Sequence, residues 1–195
     1  MKKLLLLGDS NTYGYDPRDM FGGRYPASVR WTSALRKELA GEYEITDEGQ
    51  NGRKLPRFPY EADVVGRMIA FLEEGDAFVV MLGTNDLLLN AHPRPKDAID
   101  KMKDLIEWTQ KSTKGVRFIV IGPAYFSARL DGTGELRQAS IEMNEGFEAL
   151  CSDAGVEYHD AGKWAIEFAA DGVHFSETGH KMFFERFRDV IKESH

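Results

Sequence analysis

Residues 2–12 read Lys-Lys-Leu-Leu-Leu-Leu-Gly-Asp-Ser-Asn-Thr, an apolar run that ends abruptly in glycine and small polar residues. This pattern predicts a fully buried β-strand that runs into a turn. In an open α/β sheet, ligands bind at the carboxyl ends of the central strands. Ser10 is therefore a candidate for chemistry, and the alternative is that it only caps the helix that follows.

The composition is that of an ordinary soluble domain. The chain has 195 residues, of which 42% are hydrophobic and 29% charged, and it carries a net charge of −7. This length suits one domain over residues 1–195. The acidic balance argues against a nucleic-acid partner and against an anionic membrane surface, because both attract clustered lysine and arginine.

Cys151 is the one cysteine of the chain, so no intramolecular disulfide can form. Its helical surroundings predict a buried structural thiol. The first seven residues imitate a signal peptide, but their apolar run is shorter than a signal core and no small-residue cleavage site follows. Since no stretch reaches the length of a membrane span, we expect a cytoplasmic protein.

Hydrophobic periodicity predicts strands and helices in alternation. The strands are expected at residues 4–7, 43–46, 77–82, 116–121 and 156–159. The helices are expected at residues 31–40, 60–73, 95–112, 135–154 and from Ser176 to about residue 193. This order favours an α/β, three-layer, flavodoxin-like sandwich with a five-stranded parallel sheet in the order 2-1-3-4-5.

Five polar or glycine positions follow the predicted strands and should meet at one edge of the sheet. Ser10 follows the first strand, Gly52 the second and Asn85 the third, while Asp171 and His174 follow the fifth. A serine nucleophile needs a base, the base needs an orienting carboxylate, and the oxyanion needs preorganised donors. These five residues could supply each part.

The same residues belong to four short motifs. They are Gly-Asp-Ser-Asn at 8–11, a glycine-containing turn at 49–52, Gly-Thr-Asn-Asp at 83–86 and Asp-Gly-Val-His at 171–174. In order and spacing they resemble the four blocks of the SGNH, or GDSL-type, hydrolases. Residues 29–32, 48–49 and 80–86 also resemble the arylesterase and acyltransferase branch of that family.

The resemblance implies a serine esterase that needs no cofactor and no metal. Ser10 would be the nucleophile, His174 the base and Asp171 the residue that orients it. The oxyanion hole would comprise the N–H groups of Ser10 and Gly52 and the amide of Asn85. The basic, proline-containing loop 53–59 departs from the family pattern, so the resemblance does not carry a substrate preference.

Aromatic side chains at the same sheet edge are candidates to line a substrate pocket, or else belong to the core: Tyr13, Tyr125, Phe126 and Trp164. The partner would be a small ester with a short acyl group, such as an acetylated carbohydrate. The aromatic stretch 13–30 fits a partial lid or a contact in a homo-oligomer. The remaining histidines lack a partner motif and default to surface or helix-face positions.

Two other functions remain open from the sequence. Asp9, Asp86 and Asp171 also end strands, which would suit a magnesium-dependent phosphoryl-handling domain. The same cleft could instead bind a glycan or another small ligand without catalysis.

Overall fold

A five-stranded parallel sheet forms the centre of the computed structural model, which describes residues 1–19, 21–128 and 130–192. The strands are β1 (Lys2–Gly8), β2 (Tyr43–Gly49), β3 (Ala77–Met81), β4 (Arg117–Gly122) and β5 (Glu157–Asp160). Their spatial order is β2-β1-β3-β4-β5, and every pairing is parallel. The predicted fold class and strand order are confirmed.

Within the described residues, seven α-helices connect and follow these strands. They are α1 (Ser10–Tyr13), α2 (Trp31–Glu38), α3 (Ala62–Ile69), α4 (Thr84–Leu88), α5 (Pro95–Ser112), α6 (Glu135–Ala154) and α7 (Glu177–Lys192). A 3-10 turn covers Ala161–Trp164. Helices α5 and α6 begin and end at the predicted residues, whereas α1 and α4 are single turns that the apolar periodicity does not reveal.

Alternation along the strands divides the core into two halves. Leu5 and Leu7 of β1 face a cluster with residues of α3, α5 and α6. Leu4 and Leu6 face the opposite cluster, which contains residues of α2 and α7. Because both faces of the sheet are covered, the central strands β1, β3 and β4 carry apolar runs, and polar residues follow them at one edge.

Several elements differ in length from the predictions, and β1, β2 and α3 differ most. β2 continues through Asp47 and Glu48 to Gly49, because it is an edge strand whose polar side chains are only half-buried. Helix α3 ends at Ile69, since later backbone groups bond elsewhere. The Phe71 carbonyl accepts from Lys3 Nζ at 2.6 Å, and the Glu73 N–H donates to Asp76 Oδ2 at 2.8 Å.

Within residues 1–19, 21–128 and 130–192, no helix combines the length and apolar character needed to cross a bilayer.

Candidate active site

Ser10 lies where β1 ends and α1 begins, and the turn before it is fixed by Asp9. The Asp9 side chain caps α1, accepting a hydrogen bond from the Asn11 N–H at 2.9 Å. Gly8 cannot carry a side chain here, because a Cβ would overlap the side chain of Thr12. Ser10 is 5% exposed, so its hydroxyl lies in a largely dry environment at the sheet edge.

Ser10, His174 and Asp171 form one continuous chain of hydrogen bonds. The distance from His174 Nε2 to Ser10 Oγ is 3.0 Å, and that from His174 Nδ1 to Asp171 Oδ2 is 2.6 Å. The second carboxylate oxygen of Asp171 accepts from the N–H groups of Val173 and His174, each at 3.0 Å. Residues 164 positions apart in the chain are thus brought into contact at the reacting edge.

The two carboxylates of this site have opposite electrostatic environments. Burial raises the pKa of Asp171, but hydrogen bonds from the His174 ring and from two backbone N–H groups outweigh it, so the pKa lies below its ordinary value. Burial raises the pKa of Asp9 to about 6, although the bonds from Asn11 and Thr84 and the nearby His174 act against it. Asp171 is therefore suited to stay ionised beside an imidazole.

Asn11 links the segment that carries Ser10 to the segment that carries His174. The sequence analysis did not identify this residue. Its Nδ2 donates to the Val173 carbonyl at 3.2 Å, and its Oδ1 accepts from the Phe175 N–H at 2.9 Å. These two backbone groups flank His174. The residue after Ser10 therefore holds the segment that carries the histidine, and a polar side chain beside Ser10 was the only sequence signal for it.

Asn85 lies at the start of α4 and contacts the turn that follows β2. Its Nδ2 donates to the Arg53 carbonyl at 2.9 Å, while Asn85 itself is buried. Gly52, the preceding residue of that turn, is exposed and has a φ of 73°, a backbone conformation that favours glycine. The structure thus brings the turn at Gly52 beside Asn85.

Arg53 fastens this turn to the ends of the two neighbouring strands. Its guanidinium donates to the Gly8 carbonyl at 3.1 Å, to the Glu48 carbonyl, and to Gln50 Oε1 at 3.0 Å. Burial lowers its pKa from the ordinary arginine value, opposed by the nearby charges of Glu48 and Asp9. The basic loop that departs from the family pattern thus contributes structure to the site.

The other strand-end carboxylates already have protein partners. Asp86 Oδ2 accepts from the Leu55 N–H at 2.8 Å, and Asp86 Oδ1 lies 2.6 Å from Lys101 Nζ. It therefore holds the loop after Gly52 against α5. In the parts of the chain that the structure covers, no three histidine, cysteine or acidic side chains are grouped to hold a metal ion.

The four aromatic candidates lie in different settings. The Tyr13 ring is covered by the Arg24 guanidinium, 4.3 Å from the ring centroid, and the Tyr125 hydroxyl donates to Asp160 Oδ2 at 2.6 Å. The Trp164 ring packs against the core at 5.3 Å from Phe183. Tyr13, Tyr125 and Trp164 are each half-buried, so part of each side chain is accessible. Their contact with a substrate stays a prediction.

The structure buries Phe126 and places Tyr15 close to His174. Phe126 is only 2% exposed and belongs to the core cluster that contains Leu5 and Leu7, so it offers almost no surface to a substrate. Tyr15, which the sequence analysis left within the stretch 13–30, lies with its ring centroid 4.5 Å from that of His174. Aromatic residues near a strand end serve either purpose, and periodicity cannot distinguish them.

The remaining titratable candidates lie apart from this hydrogen-bonded chain. His159 Nε2 contacts Glu157 Oε1 at 2.9 Å, and His92 is exposed, whereas His195 lies outside the described residues. His180 is buried against Tyr25 and Phe175, and burial together with the charge of Arg30 lowers its pKa to about 4.

Cys151 is fully buried in α6, as the sequence predicted. Burial raises the pKa of its thiol to about 12. A thiol in this environment stays protonated and inert at neutral pH.

Comparison with solved structures shows the same fold over nearly the full chain. The native aryl esterase of M. smegmatis superposes with a TM-score of 0.82 at 24% identity, covering 99% of each chain. Est24, a carbohydrate acetylesterase from Sinorhizobium meliloti, gives 0.82 at 22% identity, covering 100% of each chain. The lipase/acylhydrolase from Enterococcus faecalis gives 0.73 at 20% identity, covering 99% of this chain and 96% of that one.

Sequence comparison gives the family. A search of curated proteins found no match. The model of the GDSL-like lipase/acylhydrolase family, in contrast, matches residues 6–182, which include all four motifs. The chain therefore belongs to the GDSL-like lipase/acylhydrolase family, and it is a hydrolase of the SGNH type.

Proposed function

We propose that this hydrolase is a serine esterase in which Ser10 is the nucleophile, His174 the general base and Asp171 the orienting carboxylate. One observation carries the proposal: the hydrogen bonds from Asp171 through His174 to Ser10 Oγ are all within 3.0 Å. Such a chain of hydrogen bonds requires the His174 ring to be oriented by Asp171 and to meet Ser10, which lies 164 positions away in the sequence. A serine that only caps a helix needs no imidazole at its hydroxyl.

The reaction follows from the positions of these atoms. His174 Nε2 takes the Ser10 hydroxyl proton while Oγ attacks the ester carbonyl carbon, and the carbonyl oxygen becomes an oxyanion. The same proton passes from His174 to the departing alcohol, leaving an acyl-enzyme. Water then gives its proton to His174, attacks the acyl carbon and releases the acid, and the proton returns to Ser10.

We assign the oxyanion hole to the N–H groups of Ser10 and Gly52 and the amide of Asn85. The Asn85 amide has two hydrogens, and the bond to the Arg53 carbonyl at 2.9 Å uses one of them. That bond fixes the plane of the amide, so the second hydrogen can be held in advance toward the oxyanion. Fixed donors of this kind cost no reorganisation during the reaction.

The magnesium-dependent alternative is less well supported by the same contacts. The carboxylates of Asp9, Asp86 and Asp171 accept bonds from backbone N–H groups, and the last two also contact Lys101 and His174. A cation at this edge would have to replace those bonds.

For the substrate, we propose a small ester with a short acyl group, such as an acetylated carbohydrate. An open cleft of about 400 Å³ adjoins Asp171 and offers room for a small group. It is lined by Ser127, Leu130, Phe168, Ala169, Ala170, Asp171 and Gly172. The structural neighbours named as an aryl esterase and a carbohydrate acetylesterase are consistent with this choice.

The test combines covalent labelling with a substrate panel. Wild type should be labelled at Ser10 by a fluorophosphonate and should hydrolyse acetyl esters faster than octanoyl esters, including acetylated sugars. Ser10→Ala should lose both properties, whereas Ser152→Ala, which changes an exposed serine of α6, should keep both. Ligand binding without labelling or turnover would instead favour the non-catalytic binding module.

A further inference from the structure

An open cleft of about 620 Å³ extends from the turn that holds Asn85. Arg53 lies between Asn85 and this cleft. Its carbonyl accepts a hydrogen bond from Asn85 Nδ2, and the residue is also among those that line the cleft. The lining combines basic, amide and apolar side chains: Gln50, Arg53, Lys54, Leu55, Arg57, Glu61, Val64, Met68, Asn90 and Lys101. The cleft is thus one residue away from the proposed oxyanion hole.

The charges in this cleft do not balance. Lys101 is neutralised by Asp86 at 2.6 Å, and Glu61 lies 4.0 Å from Arg57 Nε. Glu61 is the one acidic residue among those that line the cleft, against four basic ones. After these pairings, Arg53 and Lys54 remain as positive charges in the cleft.

The hydrogen-bond partners of these two cations are neutral oxygens. Lys54 Nζ lies 3.2 Å from Asn90 Oδ1 and 3.4 Å from the Leu89 carbonyl. The Arg53 guanidinium contacts two backbone carbonyls and the Gln50 amide oxygen. Neutral acceptors orient Lys54 without cancelling its charge, whereas Arg53 also interacts with the nearby charges of Glu48 and Asp9.

This positive cleft contrasts with the protein as a whole, which carries a net charge of −7. A concave surface lined by one sign of charge raises the local concentration of the opposite charge. Lysine and arginine bind carboxylate and phosphate groups through short charge-assisted hydrogen bonds. The apolar side chains of Val64 and Met68 in the same cleft would contact the carbon skeleton between such a group and the ester.

From this juxtaposition we propose that the substrate carries an anionic group, a carboxylate or a phosphate, which binds Lys54 beside Arg53 in the cleft while its ester carbonyl lies at Asn85. The inference rests on the proposed esterase function and narrows its substrate class. Arg53 contributes to the field of the cleft and also holds the turn, so it is not used as the test position.

The test compares matched esters that differ only in charge. 4-Acetoxybenzoate and 4-acetoxyphenyl phosphate carry the anion on the alcohol side, and 4-acetoxybenzamide is their neutral counterpart. Monomethyl glutarate and its amide place the same change on the acyl side. The readout is the ratio of kcat/KM for the anionic and neutral members in wild type and Lys54→Gln. Comparing ratios between variants cancels differences in leaving-group reactivity.

Lys54→Gln should lower the ratio by about fivefold, mainly through KM, for at least one pair, because a partly exposed ion pair contributes about 1 kcal/mol. High salt should lower the wild-type ratio as well. Lys111→Gln, an exposed lysine at the end of α5, is the control and should leave the ratio unchanged. The pair that responds identifies carboxylate or phosphate, and ratios equal in all proteins and all pairs would overturn the inference.

A binding measurement separates this inference from the esterase proposal. Calorimetry on Ser10→Ala protein should give tighter binding of 4-acetoxybenzoate than of 4-acetoxybenzamide, and Lys54→Gln in that background should remove the difference. If neutral esters are hydrolysed through Ser10 but neither rate nor binding depends on charge, only the anionic cleft is wrong. If no ester is hydrolysed and the anion still binds through Lys54, the cleft is supported and the esterase is not.

Discussion

Replacing Asp9 by asparagine should stabilise the protein at neutral pH and remove a pH dependence of folding. Asp9 is buried, and burial raises its pKa from 3.8 to about 6. The asparagine carbonyl can still accept from the Asn11 N–H, and the Thr84 hydroxyl can turn to accept from the new amide. The substitution therefore removes the buried charge while preserving the contacts.

The size of the effect follows from the difference between the folded and unfolded pKa values. Because the folded chain binds the Asp9 proton more tightly, this group contributes most to stability below pH 3.8, and the contribution is lost as the pH rises to about 6. A difference of about two pKa units corresponds to about 3 kcal/mol. The gain of Asp9→Asn over wild type should thus grow by that order between pH 4 and about 6 and then stay constant.

Urea unfolding of both proteins between pH 4 and pH 8 measures this gain directly. Asp153→Asn, which changes an exposed carboxylate of α6, gives the background for a charge on the surface. If the gain of Asp9→Asn is the same at every pH, Asp9 titrates alike in the folded and unfolded chains. The description of its environment would then be refuted.

Three further substitutions test the site and the core. Asn85→Ala should lower kcat by about 100- to 1,000-fold with little change in KM, as for the loss of one oxyanion donor. Steady-state kinetics with 4-nitrophenyl acetate measure this, and wild-type turnover would exclude Asn85 from the oxyanion hole. Asp171→Asn should lower kcat by roughly 10⁴-fold. The reason is that one amide oxygen cannot accept hydrogen bonds from both the His174 ring and the two backbone N–H groups that bond the carboxylate. Slower fluorophosphonate labelling at unchanged unfolding free energy would confirm this prediction, and normal labelling would contradict it. His180→Leu should gain stability over wild type as the pH falls from 6.5 to about 4. Burial lowers the pKa of His180, so the stability that its neutral imidazole contributes to the wild type is lost over that range. Urea unfolding that shows the difference in stability shrinking as the pH falls would contradict the burial of His180.

The sheet could be predicted because its strands carry an unambiguous pattern. Residues 4–7 and 77–82 contain no charge, as strands buried on both faces require. Their polar ends then had to emerge at one edge, which brought Ser10, Asn85 and His174 into the same prediction. Here the local sequence and the global topology agree.

The finer details could not be predicted, because they depend on partners far away in the chain. The bonds of Asn11 reach residues 162 and 164 positions later, and no local pattern announces them. Phe126 lies in the irregular segment after β4, and His180 lies on a helix with both buried and exposed faces, so local spacing fixes the burial of neither. The Asn85 bond to Arg53 joins the start of α4 to the turn after β2, and only the folded sheet determines how these two segments approach.

The two hydrogen bonds of Asn11 also bear on how this enzyme could be altered. They set the distance between the proposed nucleophile and base through a single side chain, independently of the connecting loops. The largely exposed segment 91–94 could therefore be shortened, lengthened or exchanged to change what the protein accepts. The reacting pair would keep its spacing throughout such remodelling, which makes this scaffold a practical starting point for redesign.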